Sequence, residues 1–244
     1  MKQNRISTRT SRRWSRLLLD RPMLFVALLI TVGLFSFGKL AEEMVEGDTR
    51  TFDVWLLLAL RSPADHSDPL GPHWLEEVAR DFTALGSYAV ITFVTATVIG
   101  YLLLVRKRGA AMMVTLAVVG GVLLSNLLKH QFGRPRPDLV PHGVVVYTQS
   151  FPSGHAMMSA VVYLTLGALL ARIESQKAAK LYLLVISILL TFIVGVSRVY
   201  LGVHWPTDVL AGWAMGASWA LICFVAMMWL QNRGKVETDR SNVR

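Results

Sequence analysis

Long uninterrupted apolar runs constrain this sequence more than any other feature. A helix that crosses a bilayer needs about 20 apolar residues, because each residue advances ~1.5 Å across a hydrocarbon core of ~30 Å. Six segments meet that requirement, near residues 22–41, 84–105, 109–129, 154–172, 181–201 and 207–230. Composition agrees: 53% of residues are hydrophobic and only 17% are charged, where a soluble domain carries roughly a quarter charged. The run from Phe52 to Leu60 is too short to span and reads as an interfacial helix with Phe52 and Trp55 at headgroup depth. The expected fold is therefore all-α, a six-transmembrane-helix bundle with a short interfacial helix in the first outer loop. Its expected organisation is a basic N-terminal tail over 1–21, a six-span domain over 22–230 and a C-terminal tail over 231–244.

The formal net charge of +9 points to nucleic acid or to an anionic membrane leaflet, and its placement decides between them. Lys2, Arg5, Arg9, Arg12, Arg13, Arg16 and Arg21 directly precede the first apolar run, opposed only by Asp20. Positive residues flanking a span mark the cytoplasmic side, and no aromatic-interleaved basic surface favours nucleic acid. Arg106-Lys107-Arg108, the stretch with Arg172, Lys177 and Lys180, and a tail with Arg233, Lys235, Arg240 and Arg244 extend the pattern. The first outer loop is acidic, from Glu42 to Asp81. Both termini are thus expected in the cytoplasm, with the 42–83, 130–153 and 200–206 loops outside. The expected location is a bacterial-type plasma (inner) membrane, crossed several times. The run from Pro22 is long enough to span and no clean small-residue cleavage site follows it, so it reads as a span rather than a signal peptide. The single cysteine, Cys223, lies in an apolar run, and the six histidines lack zinc-ligand spacing.

Cations on the outer side break the charge rule. Lys129, Arg134, Arg136 and Arg198 lie at or near outer helix ends, and ionisable residues at membrane depth are functional candidates. They fall within three clusters: Lys129 followed by Arg136-Pro137; Pro152-Ser153-Gly154-His155; and Ser197-Arg198, then His204, then Asp208. In residue type, spacing and order these resemble the three-part signature of the type 2 phosphatidic acid phosphatase superfamily, which also contains soluble vanadium haloperoxidases. The resemblance covers 129–208 by motif and nearly the whole chain by span layout.

Elementary chemistry fits the same residues. A phosphoryl group in transit spreads charge over its equatorial oxygens and needs positioned cations; Lys129, Arg136 and Arg198 supply them. The start of the fourth span, at Ser153 and Gly154, offers free N–H groups, a hydroxyl and close backbone approach. Asp208, about one turn into the last helix, is placed to accept a hydrogen bond from one ring nitrogen of His204 and leave the other free to attack phosphorus. His155 remains as acid for the leaving group and then base for water. The resemblance implies the same roles: His204, His155 and Asp208 catalytic; Lys129, Arg136, Ser153, Gly154 and Arg198 binding phosphate; no metal and no cofactor.

The expected activity is metal-independent hydrolysis of a terminal phosphate from a lipid phosphate or diphosphate, with the site at the outer, periplasmic face. Candidate substrates are undecaprenyl diphosphate, phosphatidic acid, phosphatidylglycerol phosphate and the lipid A 1-phosphate. The alternatives are a phosphotransferase to an acceptor lipid and a non-enzymatic headgroup binder. The partners expected are the bilayer and a lipid phosphate, not nucleic acid; oligomeric state has no sequence signal. Outside the signature, Arg134 is left between an accessory phosphate contact and a solvated loop charge. Gly212 and Gly216 read as internal helix packing, Ser125 and Asn126 as interhelical hydrogen-bond partners, and Trp14, Trp205 and Trp229 as an interfacial belt.

Overall fold

A computed structural model describes residues 21–233. Within them the chain is all-helical: α1 (Arg21–Glu46), α2 (Arg50–Ala59), α3 (His73–Ala84), α4 (Tyr88–Leu104), α5 (Arg108–Phe132), α6 (Gly154–Ile173), α7 (Lys177–Tyr200) and α8 (Pro206–Asn232). Five of these, α1 and α5 to α8, are long and apolar enough to cross a membrane. A sixth crossing requires α3 and α4 to act together across a 45° bend. The basic segment before residue 21, Trp14 and most of the 231–244 tail lie outside the described residues.

The elbow between α3 and α4 departs from the continuous segment expected over 84–105. Leu85, Gly86 and Ser87 interrupt it, and Ser87 caps α4 by accepting from Val90 N–H at 3.3 Å. Gly86 is required there, because a Cβ would sit 2.5 Å from Val194 and 3.3 Å from His155. The elbow thus sits against His155.

The short 52–60 run does form a helix, α2. It buries Asp53 and Leu57 while Phe52 and Trp55 stay exposed. Its buried face packs with Val209, Trp205 and Val140 near the start of α8.

α8 lies inside the bundle, in contact with α1, α5, α6 and α7. Its glycines explain how. A Cβ on Gly212 would stand 2.7 Å from the Ser153 carbonyl oxygen, and one on Gly216 would overlap the Met157 carbonyl oxygen at 2.4 Å. Both glycines therefore let α6 approach α8 at backbone distance, the internal packing expected of the pair. Two indoles of α8 add polar anchors, Trp213 to the Thr191 carbonyl (3.0 Å) and Trp219 to the Ala117 carbonyl (2.9 Å). α6 carries a π-helical turn over Ala160–Leu164. The outer faces of α1 and α7 expose Phe25, Leu28, Phe35, Leu181, Ile188 and Phe192, as lipid contact demands.

Two expectations are corrected. Trp205 does not belong to an interfacial belt: it is 1% exposed and donates to the Pro135 carbonyl at 3.1 Å. Ser125 is buried, but its hydroxyl has no hydrogen-bond partner among the described residues; it faces Gly154 instead of a neighbouring polar group.

Close packing gives a sharp test. Gly216→Ala should destabilise the protein by about 1–3 kcal/mol, because the obstructing atom is backbone and cannot swing away. Gly38→Ala, inside α1 with nothing within 4 Å of the new Cβ, should leave stability unchanged or raise it by up to about 1 kcal/mol. Thermal unfolding in detergent micelles compares them.

Candidate active site

The three sequence clusters converge at one end of the bundle, on the C-terminal ends of α5 and α7 and the N-terminal ends of α6 and α8. Gly133, in the left-handed conformation (φ 59°), ends α5 and returns its N–H to the Lys129 carbonyl at 3.1 Å. That turn sends Arg134 and Arg136 back over the helix end. Ser153 caps α6 by accepting from Ala156 N–H at 3.4 Å, and its own N–H donates to the Asp208 carbonyl at 2.9 Å. Gly202 (φ 73°) lets the chain turn between α7 and α8; a Cβ there would press on Arg61 and the Pro141 carbonyl.

The cluster encloses a cavity of about 400 Å³. Lys129, Arg136, Arg198, Gly154, His155 and His204 all line it, joined by Arg80, Thr83, Tyr88 and the 144–148 strap. Four cations line it and no carboxylate does. Lys129 donates to the Gln149 carbonyl at 2.6 Å. Arg136 donates to the Thr148 and Val203 carbonyls, each at 2.6 Å. Arg198 donates to the Thr83 hydroxyl at 3.1 Å, while its buried Nε has no partner among the described residues. Neutral oxygens orient these cations without cancelling their charge. Burial also pulls Arg136 below its ordinary pKa, a cost that an incoming anion offsets.

His204 is 1% exposed, with Nδ1 3.4 Å from Asp208 Oδ2 and Nε2 3.2 Å from an Arg136 nitrogen. A guanidinium can only donate, so Nε2 accepts and Nδ1 carries the hydrogen. This is the tautomer expected from the sequence. Burial first, and then the charges of Arg136, Arg198 and Lys129, hold His204 well below the ordinary histidine pKa. Asp208 is fully buried and also accepts from Ser150 Oγ and, at 2.9 Å, from Trp205 N–H. Ser150 lies 3.3 Å from His204 Nδ1 as well.

The structure thus gathers every signature residue. Arg134 is neither of the things the sequence allowed. It is 10% exposed and bridges two buried carboxylates, Asp208 Oδ1 at 2.7 Å and Asp53 Oδ2 at 2.6 Å. Asp53 and Ser150 were missed as members of this region. Asp53 stood among many loop acids; the amphipathic pattern that would bury it in α2 was the available signal. His142 lies in the loop after α5, 2.7 Å from the Pro137 carbonyl, and His73, at the start of α3, is exposed beside Glu76.

Comparison with known proteins follows the same outline. Residues 109–232 match the profile of the PAP2 superfamily. The chain is 34% identical to phosphatidylglycerophosphatase B of Bacillus subtilis over 144 residues, covering 59% of this chain and 70% of that protein. It is 34% identical to an undecaprenyl-diphosphatase of Sulfolobus acidocaldarius over 125 residues, 48% of this chain and 56% of that protein. Among solved structures it resembles a transmembrane PAP2-type phosphatidylglycerolphosphate phosphatase from Bacillus subtilis, with TM-score 0.68 and 26% identity over 88% of this chain and 98% of that one.

The buried neutral imidazole sets a pH dependence. Above about pH 6.5 His204 is neutral folded and unfolded and contributes nothing. Below it the unfolded chain takes a proton that the folded chain refuses, so stability falls as pH falls. The melting temperature in detergent should decline from pH 7 to pH 5.5, and less steeply in His204→Gln.

Proposed function

Because this chain belongs to the PAP2 superfamily, we propose that it hydrolyses the terminal phosphate of a membrane lipid phosphate or diphosphate through a phosphohistidine on His204. The observation that carries this reading is a cavity lined by four cations and no carboxylate, with the His204 Nε2 lone pair directed toward one of them. A tetrahedral dianion satisfies such a cavity, and the trigonal-bipyramidal transition state, with more charge on its equatorial oxygens, satisfies it better.

The proposed steps are these. Phosphate oxygens replace the backbone carbonyls on Lys129 and Arg136 and take the free Nε of Arg198. The Ser153 hydroxyl and the α6 N-terminus add donors. His204 Nε2 forms a bond to phosphorus while the bond from phosphorus to the lipid oxygen breaks. His155, holding a proton beside the bound dianion, gives it to that oxygen. A water then passes a proton back to His155 as its oxygen bonds to phosphorus, and the phosphorus–nitrogen bond breaks to release inorganic phosphate. Asp208 holds the Nδ1 hydrogen throughout and balances the positive charge that the ring gains when phosphorylated. No step calls for a metal.

The substrate reading extends from Arg80, a cation outside the signature that shares the cavity. It is tied by Glu76 at 3.2 Å and the Gly143 carbonyl at 3.2 Å, and it adds positive charge where a second phosphate group would lie. Undecaprenyl diphosphate and phosphatidylglycerol phosphate carry a second phosphate; phosphatidic acid does not. The names of the relatives from Sulfolobus acidocaldarius and Bacillus subtilis favour the same pair. For the membrane, the proposal is six spans with α3 and α4 forming one, α2 at the interface, both terminal tails in the cytoplasm and the cavity opening on the outer side of the inner membrane. That topology rests on the loop charges.

Purified protein in detergent with EDTA should release phosphate from at least one of the four candidate lipids; failure on all four rejects the reading. His204→Ala should abolish turnover and the acid-labile phosphoenzyme together. Arg80→Ala should raise KM for the two substrates with a second phosphate by about tenfold, the worth of one charged hydrogen bond, and leave phosphatidic acid within about twofold.

A further inference from the structure

Behind His204, away from the cavity, Asp208 is joined to two charged residues that the mechanism above does not use, Arg134 and Asp53. Asp53 of α2 is 0% exposed and accepts three hydrogen bonds: from Thr207 N–H at 2.9 Å, from the Thr207 hydroxyl at 2.7 Å and from Arg134 at 2.6 Å. Thr207 N–H is one of the unpaired donors in the first turn of α8, so a carboxylate from a different helix caps the one that follows the nucleophile. Arg134 spans the gap to Asp208. One terminal nitrogen binds Asp53 and the Thr49 hydroxyl, and the other binds Asp208 at 2.7 Å and the Thr207 hydroxyl at 2.9 Å. The guanidinium also lies 5.5 Å from the centre of the Trp205 ring.

We infer that Asp53 and Arg134 are positioning residues for the nucleophile, forming a line Asp53–Arg134–Asp208–His204 that sets the angle and tautomer of the imidazole. The inference rests on His204 being the nucleophile. Its physical basis is the division of the Asp208 carboxylate. Oδ1 is held by Arg134; Oδ2 is held by Ser150 and Trp205 N–H and faces His204 Nδ1. Without Arg134 the Asp208 carboxylate is held on its Oδ2 side alone, and the two buried acids, Asp53 and Asp208, lose the cation between them. Without Asp53, Arg134 has one carboxylate instead of two, and Thr207 N–H loses its acceptor. A planar fork is needed, since lysine is a point charge and cannot hold both acids in fixed geometry. Neither residue lines the cavity that holds the histidines; Arg134 borders an adjoining cavity that shares Lys129 and Arg136, but both its terminal nitrogens are engaged by Asp53, Asp208, Thr49 and Thr207.

The test compares His204→Ala, Asp53→Asn, Arg134→Lys and Arg134→Gln in full-length protein, with kcat expressed per vanadate-binding site so that misfolded protein is not counted. The expected result is an inactive His204→Ala, with kcat about 10- to 100-fold lower in Asp53→Asn and Arg134→Gln, as for other residues that orient a reacting group. KM should stay within about twofold, and Arg134→Lys should recover only part of the loss. An inactive His204→Ala beside Asp53 and Arg134 variants that keep kcat within about twofold overturns this inference alone. Loss of vanadate sites in proportion to activity, with kcat per site unchanged, also overturns it and assigns the pair to folding. An active His204→Ala removes the nucleophile reading, and this inference with it.

Discussion

Four cations that repel one another sit around a small cavity at one end of an apolar bundle, and much of the local structure can be understood as holding them there. At a low effective dielectric, like charges a few ångströms apart cost several kcal/mol, so the chain must supply compensation. It does so with neutral oxygens: the carbonyls of Thr148, Gln149 and Val203 and the hydroxyl of Thr83 accept from Arg136, Lys129 and Arg198. Asp53 and Asp208 are kept behind His204, and Glu76, which pairs with Arg80, lies outside the cavity lining. Had Asp53 or Asp208 faced the cavity, an ion pair would have formed and an anionic substrate would have had to break it. Holding Asp53 and Asp208 on the far side of the imidazole leaves the cavity lined by cations and by no carboxylate.

That separation depends on backbone packing. Ser153 N–H donates to the Asp208 carbonyl, and Gly212 and Gly216 admit the α6 carbonyls to the surface of α8. The helix bearing His155 and the helix following His204 therefore pack at backbone distance, with only the methyl groups of Ala156 and Ala160 beside the glycines. A side chain at either glycine would separate the two histidines before it touched any substrate. The elbow at Gly86 acts from the other side, pressing on His155 and Val194 and bringing Thr83 and Arg80 of α3 to the cavity. Both devices use glycine because the needed distance is shorter than a Cβ allows.

How much of this could be read from the sequence depended on the range of the interaction. Lys129 and Arg136, or His204 and Asp208, are close in sequence, and helix geometry alone carries Asp208 back to His204. The long α1 and α5 to α8 announced themselves by continuous apolar character. The elbow was hidden because it lies at the edge of the apolar run, between the amphipathic α3 and the apolar α4, and only the neighbouring Val194 and His155 make Gly86 necessary. Asp53 was hidden differently. It lies 81 positions from Arg134 and 154 from Thr207; the pattern of α2 can bury it, but nothing local names its partners. Arg134 is ambiguous in the sequence because a loop cation can meet phosphate or water; its partners are two buried carboxylates that come from either side of it in the chain. Trp205 went wrong for a related reason: its indole found a carbonyl and two guanidiniums, Arg50 at 4.7 Å and Arg134 at 5.5 Å, in place of the interface.

The charge balance behind His204 has a consequence for the order in which the bundle's end can assemble. Asp53, Arg134 and Asp208 carry a net charge of −1 if all are ionised, and each is nearly or fully removed from water. Losing one member of a buried pair costs roughly 3–5 kcal/mol, a large part of a typical folding free energy. Asp53 and Asp208 therefore cannot be buried separately: α2 has to seat on α8 together with the turn that carries Arg134. The same negative charge faces the Nδ1 side of the imidazole, while Arg136 faces Nε2. A ring in that field keeps its hydrogen on Nδ1 and its lone pair on the cavity side with no substrate bound. On the proposed mechanism, the nucleophile is then oriented when the chain folds, and binding a phosphate has only to displace Arg136 from it.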